Sequence, residues 1–579
     1  MAIIGIDLGT TNSLAAVWKE DKSVLIPNVF GEYLTPSVVH IDQNGEIIVG
    51  KIAKEKLITE PENTMASFKR DMGTDKVYTL RNREFTPTDL SSFVLRKLKE
   101  DAEQYLQEEI EEAIISVPAY FNDNQRSATK LAGRLAGLKV ERIINEPSAA
   151  ALYTQMQNKQ EECRYLVVDF GGGTLDISVV DIFDDVIEIV AVAGDNHLGG
   201  DDFDTLLMET FIEKNRLEIK KLTKQERQSI RKEAERAKIA FSKEKEVQMN
   251  AFIGGMERTL SITEKEFINL GKDLFIRMQE PIDKALQDSQ FSLEEIDEVI
   301  MVGGSSHMPS VVNYVHYILK KEPKISANPD EVVALGVGTY AGIKERFEAV
   351  KDILITDICP FTLGVGIVDE YSDELKMSPV IERNSTLPVS REQMFNTIMP
   401  GQTRVKIFIC QGEHRYVKDN TVLGIMEFNV PCSKDSIQYI LVRFTYDING
   451  ILVVDAKICS TGEIINKCIV GKNTTMNEEE ITARVKELEE LKLHPRKRDK
   501  NRLILAKIER IFEENVGEIR KFADYLIDYY NAVLDTQDAK RIAWVNHRME
   551  YILELFETEP ANRVIFEVRK YMHDEGMVE

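Results

Sequence analysis

The sequence predicts a multidomain protein: an α/β unit over residues 1–350, a linker at 351–357, a β-sandwich over 358–473 and a helical unit over 474–579. Three observations predict this order. Short apolar runs first alternate with amphipathic helical patterns, apolar and polar residues then alternate with period two, and the remainder is charged with helical spacing. With 579 residues the chain is long enough for several domains, each with its own core.

Within the α/β unit the predicted elements follow one another closely. A strand and turn at 111–121 lead into a helix at 122–138, and a strand, loop and helix follow at 139–153. A buried strand enters a glycine turn at 296–309, and a helix rich in small residues follows turn signals at 328–343. This alternation is typical of helices packed on a sheet.

The second half of the chain changes character. The segment 350–360 is short and apolar, and its residues Ile353, Leu354 and Ile355 lie between Asp352 and Asp357, which predicts a short linker. Period-two alternation then predicts strands, and Asn449-Gly450 is a strong hairpin signal. At 477–480 an asparagine with a glutamate three residues later predicts the start of a helix.

Composition and charge exclude several classes of protein. Lys and Arg number 73 against 97 Asp and Glu, so the net charge is −24, which argues against general nucleic-acid binding. No apolar run approaches the ~18 residues of a membrane span. Asp7 interrupts the first apolar run and no basic stretch precedes it, which predicts no secretory signal and a cytoplasmic location. The six cysteines form no C-x-x-C pair and are expected to be reduced.

Two stretches share one pattern of strand, acid and small polar turn. "IIGIDLGTTNSLAAV" at 3–17 places Asp7 before its turn, and "YLVVDFGGGTLDISVV" at 165–180 places Asp169 before a second one. Each alone is also an ordinary turn. As a pair they predict two related lobes whose backbone N–H groups bind a nucleotide's phosphates. Two carboxylates would repel bare phosphate, so Mg²⁺ is expected between them.

The motifs together resemble one family, the seventy-kilodalton heat-shock chaperones, over nearly the whole chain. The resemblance rests on the stretches "IDLGTTNS", "VPAYFNDNQRSATKLAG", "INEPSAAAL", "DFGGGTLDISV", "GDNHLGGDDFD", "VGGSSHMP", "NPDEVVALG", "KDILITD" and "CQGE". It implies an actin-like two-lobed ATPase with ribonuclease H-like repeats, a linker, a β-sandwich that binds peptides and a helical lid. It also implies ATP or ADP with Mg²⁺ as cofactors, and K⁺ as a further one.

The resemblance assigns roles to residues of the α/β unit by position. Asp7 and Asp169 are implied to hold the metal. The implied catalytic residues are Lys69, Glu146, Asp169, Thr174 and Asp176. The implied nucleotide-binding residues are Thr10, Thr11, Asn12, Gly172, Gly173, Thr174, Gly199, Gly200, Glu235, Lys238, Gly303, Ser305, His307 and Asp330. Without the resemblance, Lys69 would be interpreted as a surface lysine of a helix.

Two further sets concern client binding and communication between domains. The implied peptide groove consists of Val365, Phe395, Ile398, Val405 and Ile407, although strand alternation alone would favour plain sandwich core. The implied coupling residues are Pro118, Arg126, Asp352, Ile353, Leu354 and Asp357. The alternative for the linker is a simple entry strand of the sandwich.

Some residues depart from the family pattern. His307 stands where the family usually has arginine, Thr356 replaces a typical linker leucine, and the helical tail is short. These departures are similar to those of the divergent bacterial C-type paralogues. The implied partners are unfolded or specific client polypeptides, a J-domain co-chaperone and an exchange factor, with no nucleic acid and no membrane. An acceptor-dependent kinase, a filament protein on the same ATPase fold and a regulator of a single client remain alternatives.

Overall fold

The computed structural model describes most of the chain. The described ranges are 2–158, 162–183, 186–326, 328–351, 353–369, 374–433, 435–448, 450–469, 495–558 and 563–574. Asp352, the hairpin residue Asn449 and the predicted helix start at 477–480 lie outside these residues.

The first part of the chain forms a mixed sheet with helices on it. Its elements are β1 (Ile3–Asp7), β2 (Asn12–Lys19), β3 (Lys22–Ile26), β4 (Thr35–Pro36), β5 (Val38–Ile41), β6 (Ile47–Val49), α1 (Lys51–Thr59), β7 (Thr64–Ala66), β8 (Tyr78–Leu80), β9 (Arg83–Phe85), α2 (Pro87–Leu106), β10 (Glu112–Val117), α3 (Asp123–Leu135), β11 (Ile143–Asn145) and α4 (Glu146–Asn158). The sheet order is β11-β10-β1-β2-β3, with β4 paired to β2. Ile4, Ile6 and Val94 lie in the core beneath it, fully buried.

The second part repeats this arrangement. Its elements are β12 (Glu162–Phe170), β13 (Leu175–Phe183), β14 (Val186–Asp195), α5 (Gly200–Lys214), α6 (Lys224–Ala240), β15 (Glu246–Ile253), β16 (Met256–Thr263), α7 (Glu264–Leu270), α8 (Lys272–Ser289), β17 (Glu298–Val302), α9 (Pro309–Leu319), β18 (Pro323–Ile325) and α10 (Val332–Lys344). β12 is parallel to β17 and antiparallel to β13, just as β1 is parallel to β10 and antiparallel to β2. The two turn motifs therefore lie at equivalent points of two similar sheets.

The small residues of α10 have a packing role. A Cβ on Gly5 of β1 would lie 2.5 Å from the backbone nitrogen of Gly338, and a Cβ on Gly338 would lie 2.8 Å from Cβ of Ala16 in β2. Such separations are shorter than real side-chain contacts, so only glycine lets this helix lie so close to the first sheet. The helix predicted at 328–343 thus packs directly on the strand that leads to Asp7.

The chain then passes through a linker strand into two facing sheets. The elements are β19 (Leu354–Ile358), β20 (Leu363–Val368), β21 (Leu375–Ile381), β22 (Thr386–Leu387), β23 (Val389–Asn396), β24 (Arg404–Gln411), β25 (Thr421–Asn429), β26 (Tyr439–Tyr446), β27 (Leu452–Ile458) and β28 (Ile464–Ile469). β19 joins the seven-stranded sheet of order β18-β17-β12-β13-β14-β19-β22. The sheets β21-β20-β24-β25 and β23-β26-β27-β28 share one core that includes Ile409, Val442 and Phe444. They therefore form a β-sandwich.

The C-terminal part is helical. Its described helices are α11 (Asp499–Glu514), α12 (Glu518–Asp535), α13 (Ala539–Thr558) and α14 (Val564–Asp574). They share a core with Ile508, Leu526 and Val568, each fully buried. A buried hydrogen bond of 2.7 Å joins Tyr530 Oη to Asn546 Oδ1. Within the described ranges, no helix combines the length and apolar character needed to cross a membrane.

Candidate nucleotide site

A cleft of about 440 Å³ opens where the two turn motifs face each other. It is lined from both sheets and from helix α6, and most of the predicted nucleotide residues lie on its wall. The predicted residues on the wall are Asp7, Thr10, Thr11, Asn12, Lys69, Glu146, Asp169, Gly172, Thr174, Glu235, Lys238, Gly303, Ser305, His307 and Asp330. The structure thus brings together residues that are far apart in the sequence.

The two turns approach each other closely at this cleft. A Cβ on Gly172 would lie 2.0 Å from Thr11 Oγ1, and a Cβ on Gly173 would lie 2.8 Å from Thr10 Cγ2. Glycine is required here because any side chain would push the turns apart. The hydroxyl of Thr11 is buried and has no hydrogen-bond partner among the described residues. A buried polar atom of this kind needs a partner, and a phosphate oxygen between the turns would supply it.

Two carboxylates stand at the floor of the cleft, that of Asp169 buried and that of Asp7 partly buried. Asp7 ends β1 and accepts a hydrogen bond of 2.8 Å from Ser116 Oγ at its Oδ1, while Asp169 lies near the end of β12. Burial, with Glu146 nearby, raises the pKa of Asp7 to about 7 and raises that of Asp169 well above its usual value. Such a pair is costly unless a cation neutralises it.

The donor set fits Mg²⁺. Within the described part of the chain there is no group of three or more His, Cys, Asp and Glu side chains placed to hold a metal. A cation between Asp7 and Asp169 would have two carboxylates nearby, and Mg²⁺ commonly completes such a site with water and phosphate oxygens.

Because the pKa of Asp7 is raised, binding of Mg²⁺ should release protons near neutral pH. In the metal-free chain this carboxyl keeps its proton up to about pH 7. Its contribution to the stability of the metal-free fold is thus complete below pH ~4 and is lost as the pH rises through 7. The apparent Mg²⁺ affinity should fall by up to about tenfold per pH unit below 7. Titration calorimetry of Mg²⁺ with ADP, in buffers of different ionisation enthalpy, measures the protons released; none at pH 6 would contradict the prediction.

Lys69 is not a surface lysine. It lies in the short 3-10 helix Phe68–Asp71, is only 4% exposed, and its Nζ donates to Glu146 Oε1 at 2.8 Å. The surface interpretation was wrong because the segment leads into the cleft instead of lying on a free helix. The salt bridge keeps a cation beside the floor of the cleft.

Asp176 lies behind this pair. Its Oδ1 accepts from the backbone N–H of Tyr120 at 3.0 Å, and its Oδ2 is buried with no partner among the described residues. Burial, with Glu146 nearby, raises its pKa to about 7. Asp176, Gly173, Gly199 and Gly200 do not lie on the wall of the cleft.

Helix α6 supplies the opposite wall. Lys238 Nζ donates to the carbonyl of Gly200 at 3.0 Å and pairs with Asp204, and Glu235 forms an ion pair of 3.1 Å with Lys54 of α1. Ile239 and Ser242 line the same cleft, although the sequence motifs did not predict them. The helical spacing of the sequence could have predicted them, because positions 235, 238, 239 and 242 follow the i, i+3, i+4, i+7 pattern of one helix face.

His307 lies on the wall at the rim of the cleft. It is half exposed, and its Nε2 lies 3.2 Å from Oδ2 of Asp330. Ser305, two residues earlier, donates through its hydroxyl to the carbonyl of Gly171 at 2.7 Å. The glycine turn after β17 is thereby tied to the turn after β12.

Replacing His307 with arginine should tighten binding of ADP by about 1 kcal/mol. A guanidinium can pair with Asp330 and offers a planar surface for an adenine ring. Calorimetry of ADP binding tests this, with His307→Ala as the matched loss of the ring. Equal or weaker ADP affinity in the arginine variant would remove residue 307 from the nucleoside contact.

Two of the predicted coupling residues, Arg126 and Asp357, are connected through Asn145. Arg126 of α3 donates to the carbonyls of Phe121 and Ala119, at 3.0 and 3.1 Å, and to Asn145 Oδ1 at 2.6 Å. Asn145 in turn donates to Asp357 Oδ1 at 2.5 Å. Pro118, buried, lies between β10 and α3.

The linker strand turns its side chains in alternate directions. Ile353 and Ile355 pack against the core of the second sheet, whereas Leu354 is 62% exposed. Backbone pairing joins Leu354–Thr356 to Val186–Glu188 of β14 in parallel. The linker is thus both a strand of the α/β sheet and the entry to the sandwich. Leu354 contributes to the pairing with β14 through its backbone, while its side chain is exposed.

The predicted groove residues do not all lie in the same environment. Val365, Val405 and Ile407 are buried in the sandwich core, and Phe395 packs against it. Ile398 is 62% exposed in the loop after β23. The strand alternation predicted at Val405 and Ile407 is present, with Lys406 on the other face.

The α/β part has two facing sheets, each with a carboxylate and a glycine turn at the cleft. A linker strand joins it to a β-sandwich. This arrangement defines an ATPase with an attached binding domain. Comparison with known proteins identifies the family. A family model described as "Hsp70 protein" matches residues 3–551. The chain is similar to the chaperone protein DnaK of Thermosipho melanesiensis, at 41% identity over 493 residues, covering 83% of this chain and 82% of that one. It is equally similar to DnaK of Thermotoga neapolitana, at 41% identity over 494 residues with the same coverage.

The chain therefore belongs to the Hsp70 family. It is an ATP-dependent chaperone and an ATP hydrolase. The kinase and filament alternatives are not favoured.

Proposed function

We propose that nucleotide bound in the cleft controls how the β-sandwich holds short, extended apolar segments of client proteins. The observation that carries the proposal is the linker strand. β19 pairs with β14 of the second sheet through Leu354–Thr356 and ends at Ile358, and the next residue, Cys359, lies in the core of the sandwich. A change at the cleft that moves this sheet must therefore move the linker strand with it.

The residues around the cleft suit slow hydrolysis. Asp7 and Asp169 would hold Mg²⁺ through its waters, and bound Mg²⁺ would neutralise charge on the phosphates. Lys69 would leave Glu146 in part to approach the transferred phosphate and orient the attacking water. Because phosphoryl transfer depends mainly on positioning and charge, no strong general base is needed. Thr10, Thr11, Gly172 and their neighbours would bind phosphate oxygens.

Contacts across the sandwich boundary support the coupling. Arg383 donates two hydrogen bonds to Asp288 of α8, of 2.6 and 2.7 Å, and one of 2.9 Å to Glu413. Asp123 of α3 is buried; its carboxylate accepts a hydrogen bond from Tyr446 Oη, and its backbone N–H donates to Gln411 Oε1 at 3.3 Å. These contacts, partly exposed at Arg383 and buried at Asp123, favour the docked arrangement of the two parts.

The finer assignments belong to the same proposal. They comprise the actin-like division of the α/β part, the boundaries at 350, 357 and 473, K⁺ beside Mg²⁺, a cytoplasmic location, a J-domain co-chaperone and an exchange factor. The relatives named DnaK are chaperones by name, which supports client polypeptides as the partners.

Replacing Val405 with phenylalanine should abolish binding of an apolar heptapeptide while basal ATP hydrolysis persists. Val405 is 9% exposed in β24, so the larger side chain of phenylalanine would overpack this part of the sandwich. We expect this to lower the free energy of unfolding by about 1–3 kcal/mol. Fluorescence anisotropy of a labelled heptapeptide measures binding, and phosphate release without any acceptor measures hydrolysis.

The matched control is Val422→Phe, the same change on a half-exposed position of β25. It should leave peptide binding and its stimulation of hydrolysis near wild type. If Val405→Phe binds the peptide as tightly as the control does, the groove lies elsewhere. If apolar peptide never changes the rate of phosphate release in the wild-type chain, the proposed coupling is wrong.

A further inference from the structure

The turn between α12 and α13 touches the sandwich at a main-chain edge. Gln537, in the left-handed region at φ 54°, donates through Nε2 to the carbonyl of Glu392 and accepts at Oε1 from the same residue's N–H, both at 3.2 Å. Glu392 lies in β23, the outermost strand of its sheet. The side-chain amide of Gln537 thus occupies the main-chain donor and acceptor that a neighbouring strand would use.

The same turn also touches the ATPase part. Lys540, at the start of α13, forms an ion pair with Glu188 of β14. Asp181 of β13 adds further attraction for Lys540, and Asp181 itself lies 3.4 Å from Arg164. Two residues of this short connection, Gln537 and Lys540, therefore reach two different domains.

The ATPase contact falls at the linker. Glu188 is the residue of β14 whose backbone pairs with Thr356 of β19. On the sandwich side, the carboxylate of Asp538 attracts the guanidinium of Arg391, the neighbour of Glu392 in β23. The turn therefore joins the edge of the sandwich to the sheet edge on which the linker is docked.

We infer that residues 536–540 form an interdomain clamp, which keeps the linker strand on the ATPase sheet for as long as the helical bundle is seated. Glu188 and Glu392 belong to different domains, and one rigid turn can reach both only when the domains are docked. Release of the bundle and release of the linker are then coupled, and by linkage each favours the other. The inference rests on the proposed docking of the linker.

Amide hydrogen exchange of the linker in the full-length chain tests the clamp. With saturating Mg²⁺ and ATP, Lys540→Glu should speed exchange at 353–358 by roughly fivefold or more, because it replaces attraction to Glu188 with repulsion. Lys521→Glu is the matched control, since it makes the same charge change in an exposed ion pair of 3.2 Å with Glu518 inside α12. The double variant Lys540→Glu with Glu188→Lys restores the opposite charges of the ion pair and should restore most of the slow exchange, since Asp181 still repels a carboxylate at position 540.

Each outcome decides a separate point. If the wild-type linker is protected and Lys540→Glu matches Lys521→Glu, the clamp is overturned and the linker docking stands. If the charge swap fails to restore protection, the ion pair is not the holding contact. If ATP binds by calorimetry but the wild-type linker exchanges freely, the proposed docking and the clamp fail together. Should Lys540→Glu lower the Tm of the bundle, Gln537→Ala replaces it in the same comparison.

Discussion

Replacing Lys69 with alanine should leave ATP bound but slow its hydrolysis by about 10²–10³-fold. Lys69 is buried, and its Nζ lies 2.8 Å from Glu146 beside the carboxylates of the cleft. Removal takes away the cation that would stabilise charge on the transferred phosphate. The turns and the wall of α6, which would bind the rest of the nucleotide, are untouched. Single-turnover hydrolysis measures the chemical step, and calorimetry measures ATP affinity.

The matched control is Lys76→Ala, an exposed lysine in an ion pair of 2.6 Å with Asp71 outside the cleft. It should hydrolyse ATP at the wild-type rate. Removing Lys69 also leaves Glu146 buried without its partner, so the melting temperature must be compared as well. A single-turnover rate near wild type in Lys69→Ala would show that the transferred phosphate lies elsewhere.

Replacing both Ile353 and Ile355 with aspartate should abolish the stimulation of ATP hydrolysis by peptide. Both side chains pack against the core of the second sheet. Burying an apolar side chain of this size is worth about 1.5–3 kcal/mol when complete, and a carboxylate in its place adds a desolvation penalty. The linker strand should therefore leave β14. Steady-state phosphate release with and without peptide measures the loss.

Leu354→Asp is the control for the linker, because that side chain is exposed and only its backbone pairs with β14. It should keep most of the stimulation. The sequence predicted Ile353 and Leu354 as coupling residues. Because the structure shows Leu354 exposed and Ile355 packed, the double variant changes Ile355 in place of Leu354. Stimulation that survives the Ile353 and Ile355 double change would make the linker a simple tether.

The features that sequence patterns predicted are local. The turns after Asp7 and Asp169 could be predicted because glycine, threonine and an acid at the end of a strand already specify a turn with free N–H groups. The small residues at 328–343 predicted a helix that packs closely on its neighbours. In the structure, the glycines of α10 allow that close packing on β1 and β2. The alternation around Val405 and Ile407 predicted which side chains share a face.

What the sequence did not predict depends on which segments meet in space. From the sequence alone, Lys69 would be interpreted as a surface lysine, because nothing near it in the sequence shows that Glu146 lies beside it. The exposed side of Leu354 follows from which face of β19 meets the sheet, and three consecutive apolar residues do not reveal that. Ile239 lies on the helix face of Glu235 and Lys238, so a search by helical spacing would have found it.

The amide of Gln537 on β23 also bears on solubility. The edge strand of a sheet presents unpaired main-chain groups, and a strand from another molecule can add to them and start aggregation. By occupying the donor and acceptor of Glu392, Gln537 interrupts that template in the middle of the strand. A chaperone thus shields one of its own sheet edges from other chains, and any movement of the helical bundle away from the sandwich would make that edge available for self-association.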